Sequence, residues 1–430
     1  MNRIETDSTI HFSQLGHSAE PPVIVELMNR ALMNPELLSL AAGFTDNAVL
    51  PGAIVAEICK EIALGESSRE CLQYGQNQGR AGLRELTCEW LGQHPGERLE
   101  CFSPEEVFIT NGSQQALYLA MQTLCDPGDI VLVEEPSYFV CLEVLKGLGI
   151  QPIGIPCDQK GAIQIDGFRE LIADLKQGGQ WDRVKALYLV SYFGNPSSRS
   201  MQLDEKEAVA EVLLAAGAMI PVIEDAAYRE LYFDAPHPVP SILSLEIYQR
   251  FPKLYLGTYT KPFATGLKVG YGYCSHANWR EKMLCIKGHQ DFGTAHFNQA
   301  IVERALEQGN YASHLELLHT HYKAKAEVMD TALRQWGLAE AGWFWEKPKG
   351  GLIFWLRGPD SLDTRMESTF CQSCIDSGML YVPGDLCFPN GTPWNFIRLS
   401  TGSLSHDGIQ EAVRRFASVA TKSTFAASLL

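Results

Sequence analysis

The sequence lacks any run of about eighteen apolar residues, the length a membrane-crossing helix needs. No helical membrane span is therefore expected. Its start, "MNRIETDSTIHFSQLG", lacks the apolar core of a signal peptide, so a cytoplasmic chain is expected. Basic residues are few: 35 against 51 acidic ones, a net charge of −16. That balance argues against nucleic acid or an anionic membrane as the main partner. The twelve cysteines show no regular spacing, and the close pair Cys371 and Cys374 has no second pair at zinc-ribbon distance. They read as helix-face thiols in a reducing compartment, with no metal site. A GxSxG nucleophile elbow is also missing.

What is present is a large apolar inventory. The chain has 430 residues, 46% of them hydrophobic, enough to bury a sizeable core. From about Phe102 to Ser275, β-branched and aromatic runs alternate with helix-like stretches, the pattern of a mostly parallel α/β sheet covered on both faces. "EEVFIT", "DIVLVEEP", "QPIGIP", "ALYLVSY", "MIPVIED", "KLYLGTY" and "KVGYGYC" read as its strands. Between the first two, Ala116, Leu117, Ala120, Met121 and Leu124 recur at helical spacing. The later chain is helix-rich, with short strands at "GGLIFWLRG" and "NFIRLST". The expected organisation is an arm and part of a small domain over 1–50, a large domain over 51–300, and the rest of a small α+β domain over 301–430.

The polar residues that carry chemistry stand at strand ends. In "ITNGSQQALYLA" a strand meets Gly112 and a helix opens at Ser113, a place where unpaired N–H groups suit a phosphate. "VEEPSYFV" sets Tyr138 just beyond another strand, and "YFGNPSSRS" ends a third at Asn195. "VIEDAAYREL" delivers Asp225, a carboxylate that is costly to bury without a cation or strong donor, and then Tyr228. Lys261 follows the hydroxyl-rich "GTYT". In an open α/β sheet such ends converge on one crevice. A phosphate cradle, an aromatic ring, a buried carboxylate and an amine together match one cofactor, pyridoxal 5′-phosphate.

"QYGQNQGRAGLRE", "NGSQQAL", "EEPSYF", "GNPSS", "EDAAYREL", "GTYTKPFATGLKVGY", "KGGLIFW", "YVPG" and "FIRLSTG" occur in this order between about Ser39 and Ser400. In this set the chain resembles the fold-type I pyridoxal-phosphate enzymes of the class I/II aminotransferase family, most of all its aromatic and 2-aminoadipate branch. The resemblance implies Lys261 as the Schiff-base lysine and proton carrier, and Asp225 as partner of the pyridine nitrogen. It implies Asn195 and Tyr228 on the ring's phenolic oxygen, and Tyr138 stacked on the ring. Ser113, Gln114, Thr258, Thr260 and Lys268 would hold the phosphate, joined by Tyr74 from the neighbouring subunit of a homodimer. Arg398 would pair with the substrate's α-carboxylate, with Asn195 and Gly43 beside the substrate. The implied reaction moves an amine from an L-amino acid, aromatic or of medium length, to a 2-oxo acid such as 2-oxoglutarate.

Two positions depart from the family pattern. Ser198 stands where glycine usually follows Asn-Pro-Ser, so a different turn backbone is expected, and Lys268 replaces an arginine, keeping its charge but losing its fork. The alternative within enzymes is a fold-type I lyase or decarboxylase using the same Lys261 and Asp225. "GQNQGRAG" is set aside as a dinucleotide loop, because no strand leads into it and no acidic ribose partner follows. His314, His319 and His321 are expected on a solvated helix.

Overall fold

Seven strands form one sheet: β1 (Val107–Asn111), β2 (Ile130–Glu134), β3 (Gln151–Ile155), β4 (Val184–Val190), β5 (Val222–Asp225), β6 (Lys253–Thr258) and β7 (Val269–Cys274). The computed structural model describes residues 11–427 apart from 24, 27, 28, 30–32, 35, 42 and 67. The spatial order is β1-β7-β6-β5-β4-β2-β3. β7 runs antiparallel to both its neighbours, while the other adjacent pairs are parallel. Each strand read from the sequence is therefore found. β2, β5, β6 and β7 are buried at every position, which is why they read as unbroken apolar runs rather than alternating ones. β3 carries Pro152, which an edge strand tolerates because one side of its backbone needs no ladder bond.

Helices cover both faces. Gly112–Leu124 buries Ala116, Leu117, Ala120 and Met121, the stripe seen in the sequence, against the sheet. On the opposite face Ile165–Gln177 and Leu203–Ala215 bury Phe168, Ile172, Val209 and Leu213. Since β1, β2, β4, β5 and β6 point the same way, their carboxyl ends lie along one edge, joined there by the start of antiparallel β7.

Both ends of the chain meet in a second layer. Leu38–Ser39 pairs in parallel with Met379–Leu380, and Ile353–Arg357 pairs antiparallel with Phe396–Ser400. The long helix Asn310–Gln335 and the helix His406–Ala427 pack on this unit. Ser198 Oγ donates to the carbonyl of Ile353, fastening this layer to the large sheet. Cys371 and Cys374 are fully buried core residues on Thr369–Asp376, and none of the twelve cysteines is in a disulfide. No helix among the described residues is long and apolar enough to cross a membrane.

The three histidines correct the expectation of a solvated helix. His314 is buried against Phe263, His319 lies on the Tyr232 ring at 3.8 Å, and His321 pairs with Asp46 at 2.9 Å. The helix is long and amphipathic, but the arm and the loop after β5 cover much of its polar face.

Candidate active site

The carboxylate of Asp225 ends β5 at the floor of the crevice. Tyr188, from β4, donates its hydroxyl to Oδ2 at 2.8 Å, and the Ala227 N–H donates to Oδ1 at 3.0 Å. Burial pushes this carboxyl above its ordinary range despite the two donors. A carboxylate so enclosed fits a cationic partner in the crevice, since two neutral donors only partly replace water. Tyr188 was not singled out in the sequence; "ALYLVSY" reads as core, and only the register placing Val190 beside Asp225 on adjoining strands suggests its role.

Lys261 lies just past β6. Its ammonium donates to the carbonyl of Gly43 at 2.5 Å and sits 5.7 Å from the centre of the Tyr228 ring. The two residues are thus neighbours although 33 positions separate them. Tyr138 caps the helix Phe139–Gly147 after β2, half-buried, with its hydroxyl pKa raised by burial and by the nearby Tyr228 and Asp225.

Arg398 projects from Phe396–Ser400 and is almost wholly buried. One terminal nitrogen donates to Asn195 Oδ1 at 3.2 Å, the other to the carbonyl of Ala41 at 2.6 Å. The Phe139 ring lies 5.2 Å from the guanidinium carbon, and Nε is buried without a partner. Burial lowers the pKa of this guanidinium, and no carboxylate pairs with it among the described residues. A buried cation with an unsatisfied N–H is arranged for an anion from outside the chain. Because Asn195 accepts through its oxygen, its NH2 group remains as a donor.

At the other pole the helix Gly112–Leu124 opens at Ser113 and Gln114 with no side chain capping it, which leaves its first N–H groups for an anion. Gly112 has φ +68°, and a Cβ there would come within 3.7 Å of Thr260 Oγ1, filling the space between helix and threonine. A Cβ on Gly270 would lie 2.5 Å from Gly112 C and Ser113 N, so bare backbone meets bare backbone at this corner. Thr258 Oγ1 accepts from the Thr260 N–H at 3.0 Å, which sets the turn leading to Lys261. Helix opening, hydroxyls, carboxylate, rings and amine therefore fit a phosphate-bearing pyridine aldehyde.

Two predicted residues stand apart. Lys268 is exposed, with φ +54°, and makes no hydrogen bond or ion pair among the described residues. Tyr74 is 80% exposed and touches the Phe292 ring edge-on at 5.9 Å, outside the crevice. Ser198 stands in a turn conformation that favours glycine. Its φ of +59° is the left-handed conformation that glycine would adopt, so the turn is glycine-like with a serine in it. The bond from Ser198 Oγ to Ile353 helps hold that conformation.

The family model described as aminotransferase class I and II matches residues 35–416. The chain belongs to this family. Among curated relatives of this aminotransferase, the 2-aminoadipate transaminase of Thermus thermophilus is 32% identical over 89% of each chain. Aromatic-amino-acid aminotransferase 1 of Thermococcus litoralis is 29% identical over 95% of this chain and 93% of its own. Among solved structures, the kynurenine aminotransferase of Pyrococcus horikoshii, in complex with PMP, superposes with a TM-score of 0.85 at 29% identity. That match covers 96% of this chain and 97% of the other. The fold is thus that of fold-type I aminotransferases, the protein is an enzyme, and its cofactor is pyridoxal 5′-phosphate. The lyase and decarboxylase alternative is not favoured.

Proposed function

We propose that this aminotransferase takes the amine of a medium-length or aromatic L-amino acid, in the range its relatives are named for, and passes it to a 2-oxo acid such as 2-oxoglutarate. The observation that carries this reading is Arg398. It is a buried guanidinium with Nε unpartnered, flanked by the Asn195 amide and the Phe139 ring, across the crevice from Lys261 and Asp225. A planar fork takes a carboxylate with two parallel bonds, and the Phe139 ring backs the guanidinium from the core.

Pyridoxal 5′-phosphate, when bound, supplies an aldehyde that takes up the amine and a ring that withdraws electrons. The chain's own residues do the rest. Arg398 and Asn195 fix the donor's α-carboxylate and so orient its Cα–H bond toward the Lys261 amine. Lys261 would remove the proton from Cα and return it at the cofactor's C4′, two atoms away across the nitrogen, acting as general base and acid. Asp225, braced by Tyr188, would hold a proton on the ring nitrogen, and Tyr228 with Asn195 would donate to the phenolic oxygen. Tyr138 covers one face of the ring. Ser113, Gln114, Thr258 and Thr260 would bind the phosphate, with the charge of Lys268 added to theirs.

The functional unit in this reading is a homodimer, with the exposed Tyr74 reaching the phosphate of the partner subunit. The twelve cysteines without a disulfide suit a reducing compartment, hence the cytoplasm. The test is an absorbance spectrum from about 300 to 500 nm with a panel of L-amino acids, on wild type and Lys261→Ala. A long-wavelength band that falls as one near 330 nm rises with certain donors, in wild type only, supports the assignment and names the substrate class. An unchanged response in Lys261→Ala overturns it. Light scattering with Tyr74→Phe kinetics tests the dimer.

A further inference from the structure

The chain is held at four points, Leu40, Ala41, Gly43 and Asp46, by hydrogen bonds from elsewhere in the fold. The Leu40 carbonyl accepts from the Ser400 N–H at 2.7 Å, and the Ala41 carbonyl from Arg398 at 2.6 Å. The Gly43 carbonyl accepts from Lys261 at 2.5 Å. Asp46 closes the series on the helix Asn310–Gln335. The two middle points are groups assigned above to the reaction. The two outer points do not face the crevice.

The Asp46 anchor is unusually complete. Its Oδ2 accepts from Lys325 Nζ at 2.5 Å and from His321 Nε2 at 2.9 Å, and its Oδ1 accepts from the Ala48 N–H at 3.0 Å. Its own N–H donates to the Tyr322 hydroxyl at 3.1 Å. His321, Tyr322 and Lys325 occupy adjacent positions on one helix face, as i, i+1 and i+4 spacing requires. Lys325 is wholly buried and also donates to the Gly402 carbonyl at 2.9 Å. A Cβ on Gly402 would lie 1.8 Å from the Phe44 carbonyl oxygen, so the segment lies flat on that glycine. An ammonium taken fully out of water is retained only where its partners are good, and each partner here belongs to the segment or to the loop beneath it.

We infer that Lys325 is a positioning residue for the reaction: through Asp46 it holds Ala41, Gly43 and Phe44 in place, and so aims the Arg398 fork and the cover over Lys261. Ala41 occupies one arm of the guanidinium and Asn195 another, which leaves Nε as its buried, unpartnered nitrogen. Releasing the anchor lets the fork swing and the cover lift. Donor binding then weakens, while the proton transfer by Lys261 proceeds at a similar rate once donor is bound. The inference rests on the assignment of Lys261 and Arg398, and the two fail separately. The spectral titration of Lys261→Ala decides that assignment without reference to Lys325.

The experiment uses the holoenzyme carrying Lys325→Met, Asp46→Asn, and both together. Donor KM is expected to rise about tenfold in each, with kcat changed less than about threefold. The double variant should resemble either single one, because the two residues act through one bond. Lys325→Arg should recover part of the loss. Hydrogen exchange by mass spectrometry should quicken over residues 40–46 and stay unchanged on the sheet. A lysine that serves only packing would lower the melting temperature and leave donor KM and exchange at 40–46 as in wild type, and that result overturns the inference. Should Lys325→Met fail to fold, Asp46→Asn, which keeps the side chain's size, is read by the same two measurements.

Discussion

Arg398 and Asn195, joined by a 3.2 Å hydrogen bond, come from different layers of the molecule. The arginine belongs to the antiparallel strands built from the chain ends, and the asparagine to the turn after β4 of the large sheet. In the proposed reading, substrate binding and the meeting of these layers therefore share one bond.

The first prediction concerns that arginine. Arg398→Lys keeps a positive charge but removes the fork, and an ammonium on the shorter reach cannot bond Asn195, Ala41 and a carboxylate together. Donor KM should rise roughly tenfold to a hundredfold, equivalent to about 1.4 to 2.7 kcal/mol. Steady-state kinetics checks this, and an unchanged KM would place the carboxylate elsewhere.

Tyr188 is the second. Tyr188→Phe removes the 2.8 Å donor to Asp225 without opening a cavity larger than one oxygen. The carboxylate loses part of what keeps it charged against burial, so its hold on a protonated ring nitrogen weakens. kcat is expected to fall about tenfold with donor KM nearly constant. Single-turnover measurements should assign the loss to the chemical step.

Glu134, at the end of β2, gives a pH dependence. Burial, helped by the charges of Glu205 and Asp225, pushes its carboxyl up to about 8 against the opposing 2.7 Å Val190 N–H bond and the Arg199 charge. Between about 4.5 and 8 the unfolded chain releases a proton that the folded protein keeps, so stability falls as pH rises through this window. The effect is on the order of a few kcal/mol at its upper end. Glu134→Gln keeps the acceptor for Val190 and has no proton to lose. Its melting temperature should match wild type near pH 5 and exceed it by a widening margin toward pH 8. Parallel melting curves of the two proteins across the range would refute the shift.

Lys206 and Glu224 test the sheet's far face. Their side chains are wholly buried, 2.6 Å apart, with Tyr192, Pro240 and the Ile242 N–H completing the bonds. Lys206→Met strands a carboxylate in the core and should cost about 3 to 5 kcal/mol. Pairing it with Glu224→Leu removes both charges and should restore most of the loss. Denaturant melts of the three variants give the comparison, and a double variant as weak as the single would show that packing rather than charge governs the site.

Much of this was legible beforehand. The buried strands announce themselves because a parallel sheet covered on both faces needs continuous apolar runs, and β2 "IVLVE" and β4 "VKALYLV" supply them. Asp225, Tyr228, Asn195, Tyr138 and Lys261 could be placed on one edge because each follows such a run. Their side chains are then set by strand direction, which the alternation of strand and helix already fixes. The left-handed φ of Ser198 was not legible, because serine rarely adopts a positive φ and the bond to Ile353 that supports it comes from 155 residues away. The histidines on Asn310–Gln335 misled for a related reason. Their spacing shows a helix, but nothing local shows that Asp46 and Tyr232 come to cover them.

The sequence by itself determined the order of elements, the sheet's buried character and the set of residues at its carboxyl edge, since these depend on periodicity and strand ends within short windows. Only the tertiary structure decided that Tyr188 braces Asp225, that Ala41 and Gly43 turn their carbonyls onto Arg398 and Lys261, and that Lys325 anchors the segment carrying them. Those contacts join residues up to 357 positions apart. Their geometry follows from how two layers pack, and no local pattern encodes it.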